Sequence, residues 1–220
     1  MLVTLPQVLF YSFIKKTMDT NPYSPPSPGA FAAELPAVAG ELHYAGFWQR
    51  LGAYLVDVIV LLPLIGLAYW MGEQSRLFSM LFFVPSLLIG LWFSVYLVKR
   101  YGGTPGKLVL KTRIAMVDGS PVTLKAALLR HAVLFILSAL SSLGLLMATL
   151  AMSDELYLSL GYMQRSTKLV EMAPGWYYAV SVLMQIWIWG EFITMMFNKR
   201  RRAVHDYIAG TVVLRNVPKK

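Results

Sequence analysis

The sequence predicts an all-α polytopic membrane protein of about four transmembrane helices, with a small pair of β-strands on its cytoplasmic side. Three observations carry this prediction. The 220 residues are 57% hydrophobic and only 14% charged, with a mean hydropathy of +0.56, whereas soluble domains carry roughly 25% charged residues. Four apolar runs are each long enough for the ~20 residues that a hydrocarbon core demands. The net charge of +9 sits beside those runs, which is the pattern of membrane topology and not that of a nucleic-acid surface.

Taken in order, residues 1–46 form an N-terminal cytoplasmic tail. Its first 17 residues hold an apolar stretch too short to span, followed by Lys15 and Lys16, the wrong charge order for a secretory signal. Either translation starts at Met18 or this stretch is a short surface-lying helix. The Pro- and Ser-rich segment from Met18 to Gly29 cannot bury a core and is expected to be disordered. A transmembrane domain follows over 47–216, with spans near 47–71, 77–98, 126–151 and 176–197. The first two spans, joined by Gly72 to Arg76, should form an antiparallel hairpin, and Pro63 and Pro85 should kink them. Trp48, Trp70 and Trp176 fall where interfacial aromatic belts are expected. Leu108 to Val117 reads as a strand ended by the turn Asp118-Gly119-Ser120-Pro121, and Gly210 to Asn216 reads as its partner. Residues 198–220 make a cytoplasmic C-terminal segment overlapping the end of the domain.

Orientation follows from the retention of Lys and Arg on the cytoplasmic side. Lys99, Arg100, Lys107, Lys111, Arg113 and Lys125 lie between spans two and three, and Lys199 to Arg202, Arg215, Lys219 and Lys220 lie in the tail. The other two connections are poorer in net positive charge: Arg76 alone in one, and Arg165 with Lys168 diluted by Asp154, Glu155 and Glu171 in the other. Both termini are therefore expected inside, with the basic loops facing anionic lipid.

No cysteine is present, which excludes disulfides, thiol catalysis and thiolate metal sites. The three histidines, His43, His131 and His205, stand singly without metal-ligand spacing. The Gly102 to Lys107 segment lacks the first glycine and the Ser or Thr of a phosphate loop, because Tyr101 and Leu108 occupy those places. No catalytic residue, cofactor or metal site is expected, and no nucleophile and base stand at usable spacing for a membrane enzyme.

The intramembrane charges carry the remaining information, because an ionisable group in a span costs at least ~2.5 kcal/mol at the bilayer centre unless it is paired or hydrated. Arg50 and Asp57 lie seven residues apart, on one helix face and separated by ~10 Å along the axis, with Asp57 ~15 Å deep. They are either a structural pair or, for Asp57, a group in a translocation path. Glu191 is a second intramembrane carboxyl, at a depth not far from Asp57. Asp206 follows the basic cluster and is placed to meet Arg50 or to cap backbone N–H groups.

Three segments in order, Phe47-Trp-Gln-Arg50-Leu-Gly-Ala-Tyr-Leu-Val-Asp57, then Gly103-Thr104-Pro105-Gly106-Lys107 with Arg113, Asp118 and Gly119, then Arg202-Ala-Val-His-Asp206-Tyr-Ile-Ala-Gly-Thr211, resemble the RDD family of membrane proteins. The resemblance covers about 44–216 and maps the arginine and two aspartates of that family's name onto Arg50, Asp57 and Asp206. It implies the architecture and the triad. For function it implies less: some members are proposed to exchange monovalent cations for protons, and a eukaryotic relative looks like a scaffold in a membrane quality-control complex. The expectation is transport of a small cation or proton-coupled solute, with a non-catalytic scaffold or assembly factor as the alternative. About four spans are few for transport, so a homo-oligomer would be required.

Overall fold

The computed structural model describes residues 43–198 and 200–215. The N-terminal tail, with its short apolar stretch and Pro/Ser-rich segment, lies outside these residues, as do Lys199 and the last five. Four helical runs are long and apolar enough to cross a membrane: Phe47–Gln74, Arg76–Val109, Leu124–Ala151 and Trp176–Phe197. The protein is a mostly helical membrane protein, with a two-stranded antiparallel sheet at one end.

Helix α1 (Phe47–Gln74) begins at Gly46, whose N–H is met by the Gln49 side chain at 3.2 Å. It continues unbroken through Pro63. Only Ala53 and Asp57 are buried on it, while Leu55, Ile59, Leu62, Ile65 and Leu67 are exposed. A helix that turns its aliphatic side chains outward and its carboxylate inward is built for lipid. The second run is segmented into α2 (Arg76–Leu81), α3 (Phe83–Leu91), a π-helical turn (Trp92–Tyr96) and α4 (Leu97–Tyr101). The break at Phe82 falls where Pro85 withdraws an N–H and crowds the Leu81 carbonyl four residues back.

Gly102, at φ +78°, ends α4 with its N–H on the Val98 carbonyl, a left-handed conformation that favours glycine. The chain then turns back: Thr104 is the N-cap and Pro105 the first residue of the short helix α5 (Pro105–Val109). Strand β1 therefore starts only at Thr112 (Thr112–Met116). This corrects the sequence reading, which began the strand at Leu108. Helix α6 (Leu124–Ala151), capped by Thr123, is the third span. Helices α7 (Asp154–Ser159) and α8 (Tyr162–Met172) form the long connection to α9 (Trp176–Phe197). Helix α10 (Val204–Ala209) then leads through Gly210, at φ +65°, into β2 (Thr211–Arg215).

The sheet pairs Thr112 with Arg215 and Met116 with Thr211. Residues ahead of α1 extend it, with the Ala45 N–H on the Val213 carbonyl at 2.9 Å and the Arg215 N–H on the His43 carbonyl at 2.8 Å. Its apolar face packs Ile114 and Val213 with Val95 and Val98 of the second span and Ala126 and Ala127 of the third. The sheet is thereby tied to the helix ends. At the opposite end, the connection between the third and fourth spans is pinned by two arginines. Arg76 donates to Asp154 and to the Thr149 carbonyl at the end of α6, while buried Arg165 pairs with Glu73 and lies 4.4 Å over the Tyr157 ring.

Candidate functional site

The tail helix α10 is only six residues long, so its place depends on side-chain bonds. Asp206 supplies them. At the third helical position, its carboxylate accepts the Ala203 N–H at 3.1 Å, which closes the helix N-terminus. The same carboxylate accepts from Arg50 Nη1 of α1 at 2.7 Å, from Arg130 of α6, and from Thr211 Oγ1 of β2 at 3.0 Å. One fully buried side chain thus joins two spans, the tail helix and the sheet. Arg50 also donates to the Arg201 carbonyl at 2.6 Å, and Arg202 to the Asp206 carbonyl at 2.8 Å. Burial pushes the Asp206 carboxyl up, but the charges of Arg130 and Arg50 and the Arg50 hydrogen bond outweigh it and hold the group well below the usual carboxylate range.

Asp57 meets a different partner from the one its spacing suggested. Its Oδ2 accepts from Thr104 Oγ1 at 2.6 Å and its Oδ1 from the Gly106 N–H at 2.7 Å. The carboxylate therefore caps helix α5 from across the bundle, in the place where a Thr104 hydroxyl would ordinarily serve. Close approach is needed as well: a Cβ on Gly106 would stand 2.0 Å from the Ala53 carbonyl oxygen. The Gly103-Thr104-Pro105-Gly106-Lys107 loop is thus a docking element, with Pro105 opening α5, and Arg50 and Asp57 serve two separate contacts.

Glu191 is not brought to Asp57 either. Its Oε2 meets Nδ1 of His205, so His205 does not stand alone as the sequence reading had it. The two remaining polar atoms of this pair, Glu191 Oε1 and His205 Nε2, have no hydrogen-bond partner. Burial and the charge of Arg130 push the imidazole below its ordinary value against the opposing Glu191 hydrogen bond, so His205 is neutral at pH 7. Both residues line a cavity of about 460 Å³ between α1 and α9, shared with Arg50, Lys107 and Arg130. Among the described residues, no group of three or more His, Asp or Glu stands where it could hold a metal ion.

Arg130, Thr211 and Arg202 were missed by sequence reasoning as members of this network. For Arg130 a signal existed: it is a charge inside the third apolar run, subject to the same cost that singled out Asp57.

These shifts fix a pH dependence. Asp206, lowered from 3.8, contributes stability that is present above pH 3.8 and is lost as pH falls through its depressed folded value. His205, lowered from 6.5, likewise favours the fold above pH 6.5 and costs stability as pH falls below it. The expected result is a melting temperature that is flat above neutrality, declines below pH 6.5, and declines again in strong acid. His205→Gln should shrink the first decline and leave the second, as read by thermal unfolding in detergent across pH.

The sequence model of the RDD family matches residues 44–210. A protein of Bacillus subtilis (strain 168), named uncharacterized protein YckC, is 37% identical over 92 residues, which is 39% of this chain and 56% of that protein. The chain spans about half the length of this curated relative. No solved structure matches.

Proposed function

The chain belongs to the RDD family, and from that premise we propose that it is a transport-type membrane protein moving a small cation or proton-coupled solute, with the Glu191–His205 pair as its titrating centre. The observation that supports this reading most is the pair itself: a carboxylate and an imidazole in contact, each with an unpartnered polar atom, lining a cavity between two spans. A neutral His beside a carboxylate can accept and return a proton, which is what coupling requires. Asp206 and Asp57, with their oxygens occupied by internal donors, act in this reading as latches that hold the tail and the α5 loop to the bundle. A four-span chain would work as a homo-oligomer. In proteoliposomes containing the purified chain, addition of Na⁺, K⁺ or Li⁺ should dissipate an imposed proton gradient; silence with every cation and with no other solute restoring it would remove the reading.

The alternative reading, a non-catalytic scaffold, would rest on the internal docking of all three residues of the arginine–aspartate triad. It predicts no flux at all. No enzymatic activity is proposed.

We further place the chain in a bacterial inner membrane with both termini cytoplasmic and its basic loops against anionic lipid, on the support of the Lys and Arg distribution. Cysteines introduced at the exposed positions Gln74 and Thr167 should react with an impermeant thiol reagent added outside intact cells, and one at exposed Asp118 should not. Labelling of Asp118→Cys alone would reverse the orientation.

A further inference from the structure

The connection between the third and fourth spans holds a helix whose sides have three different surroundings. In α8 (Tyr162–Met172), Arg165 is buried and Leu169 and Met172 are half-buried, at spacings of four and three residues that put them on one side, and the helix packs against α6. Gln164, Lys168 and Glu171 repeat those spacings one residue earlier and are exposed. Lys168 and Glu171 pair there at 3.0 Å, the short-range charge pairing of a solvated helix surface. Across the helix from that polar row stand Tyr162, Met163 and Val170, within ~100° of one another around the axis. They are exposed too, Met163 by 75% and Val170 by 52%. A helix standing in water on both open sides would carry polar residues on both.

The roll of α8 is fixed by Arg165, which pairs with Glu73 near the end of α1, donates to the Tyr157 carbonyl at 3.2 Å and lies over the Tyr157 ring. The exposed apolar side cannot turn inward while those contacts hold. Its depth is indicated by Tyr162, whose ring meets that of Tyr69 with centroids 5.3 Å apart. Tyr69 stands five residues before Gln74, the last residue of α1, or ~8 Å down the helix axis, and is itself exposed on a membrane-spanning helix. The start of α8 therefore lies beside the final turns of a span and not above them. Trp176 and Tyr178, both exposed, open α9 just beyond the other end of α8. Rings of this kind collect at the level where a bilayer meets water.

We propose that α8 is an interfacial helix that lies along the lipid surface at the end of the bundle opposite the sheet. Its Tyr162, Met163 and Val170 side is immersed among headgroups and upper acyl chains, and its Gln164, Lys168 and Glu171 side faces water. An apolar side of this kind sinks about 5–10 Å into the boundary between headgroups and chains. Arg165 is then the positioning residue, which couples the end of α1 to a helix held by lipid.

The test uses the full-length chain in lipid nanodiscs, where both membrane faces are open to reagents. The sequence has no cysteine, so each single-cysteine variant carries one nitroxide label. Its accessibility is measured to oxygen, which concentrates in lipid, and to a neutral nickel chelate, which stays in water. Ile136→Cys, on an exposed position midway along α6, is the lipid reference, and Asp118→Cys, in the exposed turn after β1, is the water reference. The oxygen-to-nickel ratio at Met163→Cys and Val170→Cys is expected to be several-fold that at Gln164→Cys and Lys168→Cys, and to approach the Ile136→Cys value. Ratios at Met163→Cys and Val170→Cys as low as at Asp118→Cys would place that side in water and overturn the proposal. Poor access of both reagents to those two labels would mean that protein covers them, a second copy of the chain included, and would overturn it equally.

Discussion

Asp206→Ala is expected to destabilise the protein by about 3–5 kcal/mol, the cost of removing one partner from a buried ion pair. The substitution takes away the counter-charge that Arg50 and Arg130 share, the Thr211 hydroxyl's acceptor and the cap of α10 at once. Two largely buried guanidinium groups would then face each other without a counter-charge. The measurement is thermal unfolding in detergent, supported by the yield of inserted protein. Arg130→Met combined with Asp206→Ala should recover part of the loss, because one of the stranded charges goes with it. An Asp206→Ala protein as stable as the parent would mean that the tail is held by the sheet and the apolar cluster around Ile114 and Val213 alone.

Gly106→Ala should be nearly as damaging, for a steric reason. The new methyl would stand 2.0 Å from the Ala53 oxygen, 2.9 Å from the Ala53 carbonyl carbon and 2.9 Å from Asp57 Oδ1. Two of these are backbone atoms of a membrane-spanning helix, so it is α5 that must move. That motion stretches the 2.7 Å bond from the Gly106 N–H to Asp57. Overpacking costs about 1–3 kcal/mol, and a buried carboxylate that loses a donor adds about 1.5–3 kcal/mol. Gly103→Ala is the control: its Cβ would meet the Lys107 Cβ at 3.2 Å, a contact that needs a shift of only a few tenths of an ångström. Melting temperatures of the two proteins should differ clearly, with Gly106→Ala far below Gly103→Ala. Equal values would show that α1 and α5 are not in register-critical contact.

The membrane class and the presence of four apolar helices were legible because they depend on composition and run length, which one sequence displays in full. The Pro85 break was half legible: a kink was expected, and the structure places the discontinuity at Phe82, where the proline crowds the preceding turn. What failed were pairings between distant segments. Spacing put Arg50 and Asp57 on one helix face, but it could not reveal that a tail aspartate 156 residues away would take the arginine or that Thr104 and Gly106 would take Asp57. Helix α5 was misread as the start of a strand because Leu108 and Val109 have β-forming neighbours, while the cap that makes them helical comes from another span. His205 was read as isolated and Glu191 was set beside Asp57 by depth, since nothing local announces a contact between the fourth span and a helix that begins after a turn in the basic cluster.

We propose that proton coupling belongs to the Glu191–His205 pair, while the two aspartates of the triad hold the structure. It is tested most directly by cation-driven proton flux in proteoliposomes, normalised to folded protein, for the parent, Glu191→Gln and Asp57→Asn. The account predicts that Glu191→Gln remains folded and loses its flux, and that Asp57→Asn is less stable but retains flux in proportion to the protein that stays folded. Undiminished flux in a folded Glu191→Gln protein, with flux abolished in a folded Asp57→Asn protein, would contradict it.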